Sequence, residues 1–406
     1  MGGSRPRLLV LTSTYPRWAG DPEPGFVHEL ARRLVGRFQV TVVCPHAVGA
    51  ATREDMDGVH VVRYRYAPER WETLVNDGGI VANLRRNRWK LLLLPGFLLG
   101  QLLTAWRILR TSGADVMHAH WLVPQGVVAA LLRLASGRRV PFVVTSHGAD
   151  LYALKGRFWQ MVKRTVANAA ACTTVVSQAM AERVHELGVP PGQVTVQSMG
   201  VDVSETFTQG DGPRRRSMIL FVGRLVEKKG VRHLLDAMPG VLRQRPDVEL
   251  CVVGFGPEEA ALRERARQLG LGECVRFAGA VRQADLPGLY RQAALFVAPF
   301  VEATGGDQEG LGLVLVEAIG CGCPVLVGRV PAVADVMGPG YEDLIVDPAD
   351  TEAFAKRILV ALNDPVRLQD RMGTLRRDLA TRFDWASVAA RYGDLLAMIG
   401  RGGRRA

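Results

Sequence analysis

Residues 309–317 read Glu309-Gly310-Leu311-Gly312-Leu313-Val314-Leu315-Val316-Glu317, two carboxylates eight positions apart with glycines just after the first. Glycine lets backbone N–H groups approach a ligand closely. The apolar run that follows predicts a helix starting there, and a helix N-terminus suits a phosphate. On one continuous helix the two carboxylates would be offset by roughly 12 Å along the axis, about the span between the two ends of a nucleotide diphospho-sugar. One would accept hydrogen bonds from sugar hydroxyls and the other from ribose hydroxyls. The plainer alternative is a core helix with one solvated glutamate at its start.

Cations stand where such a ligand would need them. In Met218–Gly230, MILFVGRLVEKKG, an apolar strand ends at Val222, Gly223 allows a turn, and Arg224 and Lys229 follow five apart. Arginine grips a diphosphate bidentately and lysine adds a point charge, although a solvated basic loop reads the same way. No Gly-Lys-Ser/Thr ends the segment, so it is not a Walker A loop. In Glu249–Pro257, ELCVVGFGP, Gly254 and Gly256 follow another strand and Pro257 opens a helix. The third glycine of a dinucleotide fingerprint is replaced by Glu259, which counts against NAD. The turn either packs near a nucleotide or is simply tight. In the first half, His147-Gly148-Ala149-Asp150 follows the strand Phe142–Thr145, and His118-Ala119-His120 follows another. A lone histidine is more often structural than functional. The His118/His120 pair has no carboxylate or third ligand nearby, so orientation or packing is expected, not a metal site. Gly25 closes the long loop Pro16–Gly25 before a helix and offers backbone to a phosphate or an acceptor. Asp55-Met56-Asp57 reads as a solvated turn.

These residues need a scaffold of alternating strands and helices. Short β-rich runs cover Leu8–Leu11, Val40–Val43, Val59–Val62, Val116–His118, Phe142–Thr145 and Thr173–Val176. A second series covers Met218–Val222, Glu249–Val253, Val275–Phe277, Leu295–Ala298 and Pro324–Val327. Amphipathic segments such as Val27–Val35, Val231–Arg245 and Pro257–Leu269 lie between. Near-continuous apolar strands separated by helices indicate parallel sheets covered on both faces, and two such series indicate two Rossmann-like domains. The polar stretch Glu205–Ser217 reads as the linker. The expected domains are therefore 1–205, 206–382, and a terminal helix over 383–399 packing back on the first, ending in a basic tail, RGGRRA.

The chain has 406 residues, 48% of them hydrophobic, ample for more than one core. Its 51 Lys and Arg against 40 Asp and Glu give a net charge of +11, which favours anionic partners without choosing among them. Six scattered cysteines lack the paired spacing of a zinc site and read as buried thiols in a reducing cytosol. The short apolar run before Thr12 is a first strand, too brief for a signal-peptide core. Basic runs without aromatic interleaving carry no nucleic-acid motif. Residues 85–110 stand apart. Arg85-Arg86-Asn87-Arg88-Trp89-Lys90 abuts LLLLPGFLLGQLLTAWRILR, as in a helix lying at an anionic membrane surface, here expected over Arg85–Leu99. A core helix with a charged solvent end is the alternative, and Pro95, Gly96, Gly100, Gln101 and Arg107 argue against a spanning segment.

Taken together, the Pro16–Gly25 loop, TSHGAD, FVGRLVEKKG, VVGFGP, FAGAV and EGLGLVLVEAIGCGCPV resemble a family-four retaining glycosyltransferase of the GT-B fold across nearly the whole chain. The narrower likeness is to bacterial enzymes of cell-surface polysaccharide synthesis. The resemblance implies an α/β fold of two facing Rossmann-like domains with an interdomain cleft. Arg224 and Lys229 would neutralise the donor diphosphate, and Glu309 would hold sugar hydroxyls. Gly310, Leu311 and Gly312 would offer N–H groups, Glu317 would bind ribose, and Gly256 and Val281 would lie near the base. His147 would correspond to the family's histidine beside the transferred sugar. Hexosyl transfer with retained configuration to a saccharide or lipid-linked acceptor is expected, without metal or cofactor, in the cytoplasm or on the inner face of the membrane. One departure is Phe300–Gln308, FVEATGGDQ, a longer approach to the glutamate–glycine turn. Rival readings are a soluble transferase acting on a small natural product, an epimerase or phosphorylase of the same fold, and a basic nucleic-acid-binding protein.

Overall fold

A computed structural model of the chain describes residues 5–403 apart from 19, 22–24, 76–78, 138 and 211. The middle of the Pro16–Gly25 loop, the side chain of Arg85 and residues 404–406 of the basic tail lie outside the described residues. The chain divides into two compact units, Met1–Met199 with Val388–Ala406, and Gly200–Ser387.

The first unit is built on eight strands: β1 (Arg7–Leu11), β2 (Gln39–Pro45), β3 (Arg53–Met56), β4 (Val59–Tyr64), β5 (Val116–His120), β6 (Phe142–Ser146), β7 (Cys172–Val175) and β8 (Val194–Val196). Their order is β3-β4-β2-β1-β5-β6-β7-β8, parallel throughout except for β3 against β4. The second unit holds β9 (Arg215–Val222), β10 (Glu249–Val253), β11 (Val275–Gly279), β12 (Ala293–Ala298), β13 (Val325–Gly328) and β14 (Ile345–Val346), all parallel, in the order β11-β10-β9-β12-β13-β14. Apolar strands such as Leu8–Leu11 and Leu295–Ala298 are buried along their length, as sheets covered by helices on both faces require. In each unit the first strand sits centrally and the chain reverses direction beside it. That reversal makes a crevice at the carboxyl ends of the strands, where open α/β sheets bind ligands.

Several expectations need correction. Asp55-Met56-Asp57 is not a free turn. Arg53–Met56 pairs antiparallel with β4. The two-residue turn between them is Asp57-Gly58, both at positive φ (49° and 80°), the conformation a right-twisted hairpin demands. The stretch Glu205–Ser217 is not a loose linker. Arg214 Nη1 donates to the carbonyls of Tyr290, Arg291 and Ala293, Arg291 Nε donates to Thr208 O, and Arg215–Ser217 already belong to β9. The division between units falls at 199/200. The helix after Pro257 starts at Glu259, and the terminal helix is Trp385–Gly403, preceded by the helix Pro365–Phe383.

The 85–110 segment forms a 3-10 turn over Arg88–Leu93 and a helix over Leu94–Thr111. Among the described residues it is long and apolar enough to cross a bilayer by length and composition alone. One face is nevertheless packed on the sheet. Phe97 and Gln101 are buried, Gln101 Nε2 donates to Thr12 O at 3.3 Å, and a Cβ at Gly96 would meet Tyr66 O at 2.4 Å. Lys90 is not a surface cation. It is buried and donates to Thr73 O at 2.8 Å and Asn83 Oδ1 at 2.7 Å. The opposite face leaves Leu92 81% exposed, with Leu99 and Leu103 exposed beyond it.

Candidate active site

In the second unit the sequence-selected residues converge on the carboxyl ends of β9, β10, β11 and β12. Gly223 and Arg224 follow β9, and a 3-10 turn Glu227–Lys229 leads to Gly230. Gly230 (φ +67°) lies so close to the next loop that a Cβ would meet Pro299 O at 1.8 Å. Gly254 and Gly256 follow β10, and Val281 follows β11. The two glycines are explained by the chain itself. A Cβ at Gly254 would lie 1.9 Å from Gly223 O and one at Gly256 would lie 2.4 Å from Leu225 O. Their small size lets two loops stack, held by Gly223 N–H to Val253 O (3.0 Å) and Leu225 N–H to Phe255 O (2.9 Å).

The helix of the Glu309–Glu317 segment begins at Leu313, with Gly312 (φ +87°) ahead of it. Glu309 is therefore not on the helix, and the 12 Å axial offset does not apply. Glu309 precedes the helix N-terminus and pairs with Lys229: Nζ to Oε2 is 2.7 Å, with side chains only 12% and 15% exposed. Lys229 also sits 4.7 Å from the centre of the Phe300 ring. Burial alone would push the Glu309 carboxyl up. Lys229, Lys228 and hydrogen bonds from Lys229 and the Gly312 backbone outweigh it and bring it down to about 2, so it is ionised at any physiological pH. Lys228 donates to Asp307 Oδ1 (3.1 Å) and Gln308 O (3.2 Å), and Glu227 accepts the Thr304 N–H at 2.8 Å. The long approach Phe300–Gln308 is thus tied to the β9 turn residue by residue.

Glu317 lies on the helix Leu313–Gly320 and is buried. Tyr290 Oη donates to its Oε2 at 3.0 Å and Gln283 Nε2 donates to its Oε1 at 3.1 Å. Burial is the main cause of its carboxyl rising to about 7; the two donors and the more distant Lys229 limit the rise. Lys228, Gln283 and Tyr290 stand outside the residues that spacing selects. Lys228 adjoins Lys229 in sequence, but nothing in the pattern ties Gln283 or Tyr290 to a glutamate some thirty positions away. This cluster presents ionised Glu309, the cations Arg224, Lys228 and Lys229, and the acceptor Glu317. Together they suit a polyanion flanked by hydroxyl groups.

The first unit carries a second cluster. His147 follows β6, and its Nε2 lies 3.0 Å from Nδ1 of His120 at the end of β5. The two rings are nearly coplanar, with 9° between their planes and their centres 5.2 Å apart. Phe26, next to Gly25 at the start of the helix Phe26–Leu34, packs on His147 at 4.9 Å, and Trp121 at 5.0 Å. Burial pulls His147 and His118 down to about 3, and burial with the neighbouring histidines pulls His120 well below the usual histidine range, so all three are neutral. Asp150 fixes the neighbouring loop by accepting the Leu122 N–H at 2.6 Å and the Ser146 hydroxyl at 2.8 Å. Among the described residues no group of three metal-ligating side chains is placed to hold an ion. His118 instead faces Thr145.

Comparison with known proteins agrees with this geometry. The family model described as Glycosyl transferases group 1 matches residues 203–378, and that of Glycosyltransferase Family 4 matches residues 26–205. A GDP-mannose-dependent alpha-(1-6)-phosphatidylinositol monomannoside mannosyltransferase from Mycolicibacterium smegmatis is 29% identical, over 96% of this chain and 98% of its own length. A phosphatidyl-myo-inositol mannosyltransferase from Mycobacterium leprae is 33% identical over 68% of this chain and 71% of its own. Among solved structures, sucrose-phosphate synthase from Thermosynechococcus elongatus superposes with a TM-score of 0.76 at 20% identity, covering 98% of this chain and all of that one. HepE from Anabaena, solved with UDP and glucose, gives 0.72 at 18% identity, covering 97% of this chain and all of its own. The two doubly wound parallel sheets are those of the GT-B fold, and the chain belongs to glycosyltransferase family 4.

Proposed function

We propose that this glycosyltransferase moves a hexosyl unit from a nucleotide diphospho-sugar to a lipid-linked saccharide, with retention of anomeric configuration and without a metal ion. The Lys229–Glu309 arrangement between the ends of β9 and β12 carries the reading. A diphosphate entering there takes over the lysine while the freed, ionised Glu309 accepts from sugar hydroxyls. Arg224 grips the phosphates bidentately, and the helix N-terminus at Gly310–Gly312 adds partial positive charge where the leaving group becomes more negative. Glu317, held by Tyr290, accepts from ribose. The bond from the anomeric carbon to the diphosphate oxygen breaks and a new one forms to the acceptor oxygen on the same face. The acceptor proton passes to the departing phosphate. Neutral His147 acts as a hydrogen-bonding partner of the sugar and carries no charge.

The exposed apolar face of the first unit supports a lipid-linked acceptor. Leu92, Leu99 and Leu103 are exposed, as are Leu131 and Leu134 on the helix Val127–Ala135 that packs against Leu94–Thr111, and Arg86 and Arg88 are exposed just ahead of Leu92 in the chain. Such a surface suits a bilayer carrying anionic headgroups. The mannosyltransferase relatives are named for phosphatidylinositol acceptors, which agrees with this choice. The test begins with titration calorimetry against GDP-, UDP-, ADP- and dTDP-sugars. One of them is expected to bind and be consumed by a lipid-linked saccharide, with excess chelator present, to give the donor's anomeric configuration. Binding by none would overturn the donor assignment, and metal-dependent turnover would overturn the metal-free one.

A further inference from the structure

We infer that His120 is a positioning residue for His147 and that it leaves Nδ1, not Nε2, as the ring nitrogen of His147 available to substrate. The inference rests on the proposed role of His147 and adds a residue and an atom to it. Nε2 of His147 is already engaged, 3.0 Å from His120 Nδ1. A neutral imidazole has one donor and one acceptor nitrogen, so a bond at Nε2 fixes the ring's orientation and makes its tautomer the complement of that of His120.

His120 cannot swing away to release that bond. It is 1% exposed and flanked by two other imidazoles. The His118 ring centre lies 4.2 Å away, tilted by 39°, and the His147 ring centre 5.2 Å away in the direction of the hydrogen bond. His118 is pinned in turn, with Nε2 2.7 Å from Thr145 Oγ1, and the Thr145 and Thr174 hydroxyls are 2.5 Å apart. The Tyr392 ring covers His118 at 5.4 Å, and Tyr392 Oη donates to Gln197 O at 3.0 Å. The result is a row of four rings in contact, Tyr392 on the helix Trp385–Gly403, His118 and His120 on β5, and His147. Phe26 and Trp121 brace His147 at its end. Every histidine in it is neutral, so the row serves orientation and not charge.

Two substitutions separate the hydrogen bond from the packing. His120→Phe keeps an aromatic ring at this position and loses the bond. His120→Asn loses the ring but places an amide near the position of Nδ1. In wild type, selective ¹⁵N labelling of histidine is expected to show His147 Nε2 hydrogen-bonded in a neutral ring whose tautomer is complementary to that of His120. His120→Phe should leave donor KM and melting temperature near wild type, lower kcat by about tenfold or more, and remove the hydrogen-bond signature at His147 Nε2. His120→Asn should restore most of kcat and the hydrogen-bonded Nε2. Equal impairment of the two variants would reduce His120 to packing, and a free Nε2 in the wild-type spectrum would overturn the inference even if His120→Phe failed to fold. The spectrum is independent of turnover, so a chain that transfers no sugar would refute the functional reading and still report on this one.

Discussion

Lys229→Met removes the charge that Glu309 depends on while keeping an apolar stem of similar length. Burial pushes the Glu309 carboxyl up, yet it ends near 2 where 4.5 is ordinary. That difference corresponds to about 3 kcal/mol favouring the ionised form in the folded state, after the burial cost has been met. Lys229 is the largest contributor to it, and removing one partner of a buried pair costs on the order of 3–5 kcal/mol. The sign follows from linkage. A carboxyl depressed in the folded state stabilises fully above pH 4.5, and that contribution fades as pH falls toward 2. Lys229→Met should therefore be less stable by about 3 kcal/mol at pH 7 in urea unfolding, and that deficit should shrink as pH falls toward 2, where the wild-type carboxyl is protonated too. Lys229→Met/Glu309→Gln should recover most of the stability, because the orphaned charge is gone. Turnover should fall roughly a hundredfold or more in both, since neither presents the Lys229 charge to the diphosphate. A single variant as stable as wild type, or a double variant no better than the single, would refute the pairing. Near-normal turnover in either would refute the phosphate role.

Other outcomes follow from the same geometry. The Glu317 carboxyl, raised to about 7 by burial, costs stability as pH rises from 4.5 through 7, and it accepts from ribose best once ionised. Donor affinity should thus be several-fold tighter at pH 8 than at pH 6, and Tyr290→Phe should move that transition upward; a flat calorimetric profile would contradict it. Gly254→Ala forces a methyl to 1.9 Å from Gly223 O and should lower the melting temperature by about 10 °C or more, with an unchanged melt refuting the stacked loops. Replacing Leu92, Leu99 and Leu103 with glutamine should abolish sedimentation with anionic vesicles while sparing the fold, and undiminished sedimentation would place the membrane contact elsewhere. With His147 held near 3, kcat should show no histidine limb between pH 5 and 7, so a bell centred on pH 6.5 would contradict its neutral state.

The strands were legible in sequence because both faces of a covered parallel sheet are buried. Runs such as Leu8–Leu11 and Glu249–Val253 then show as apolar blocks whatever surrounds them. The short edge strands β8 and β14 were not, since three or two residues leave no pattern. The hairpin at Asp57-Gly58 carried its signal in the sequence, an Asp-Gly pair, but its polar first strand masked it. Glycines looked equally suited to ligand approach everywhere. Only the fold separates Gly254 and Gly256, which accommodate neighbouring backbone, from Gly312, which precedes a helix N-terminus.

The sequence by itself determined the two βα series, the family, and the residue types at strand ends, because these depend on local pattern and spacing. Tertiary structure alone decided which charges meet. Lys229 reaches Glu309 across eighty residues, Lys90 turns inward instead of facing solvent, and His118 and His120 of one strand meet His147 just beyond the next. Such pairings depend on how strands are ordered in a sheet, and burial then sets each group's protonation. Neither is encoded in any stretch of chain short enough to be read as a motif.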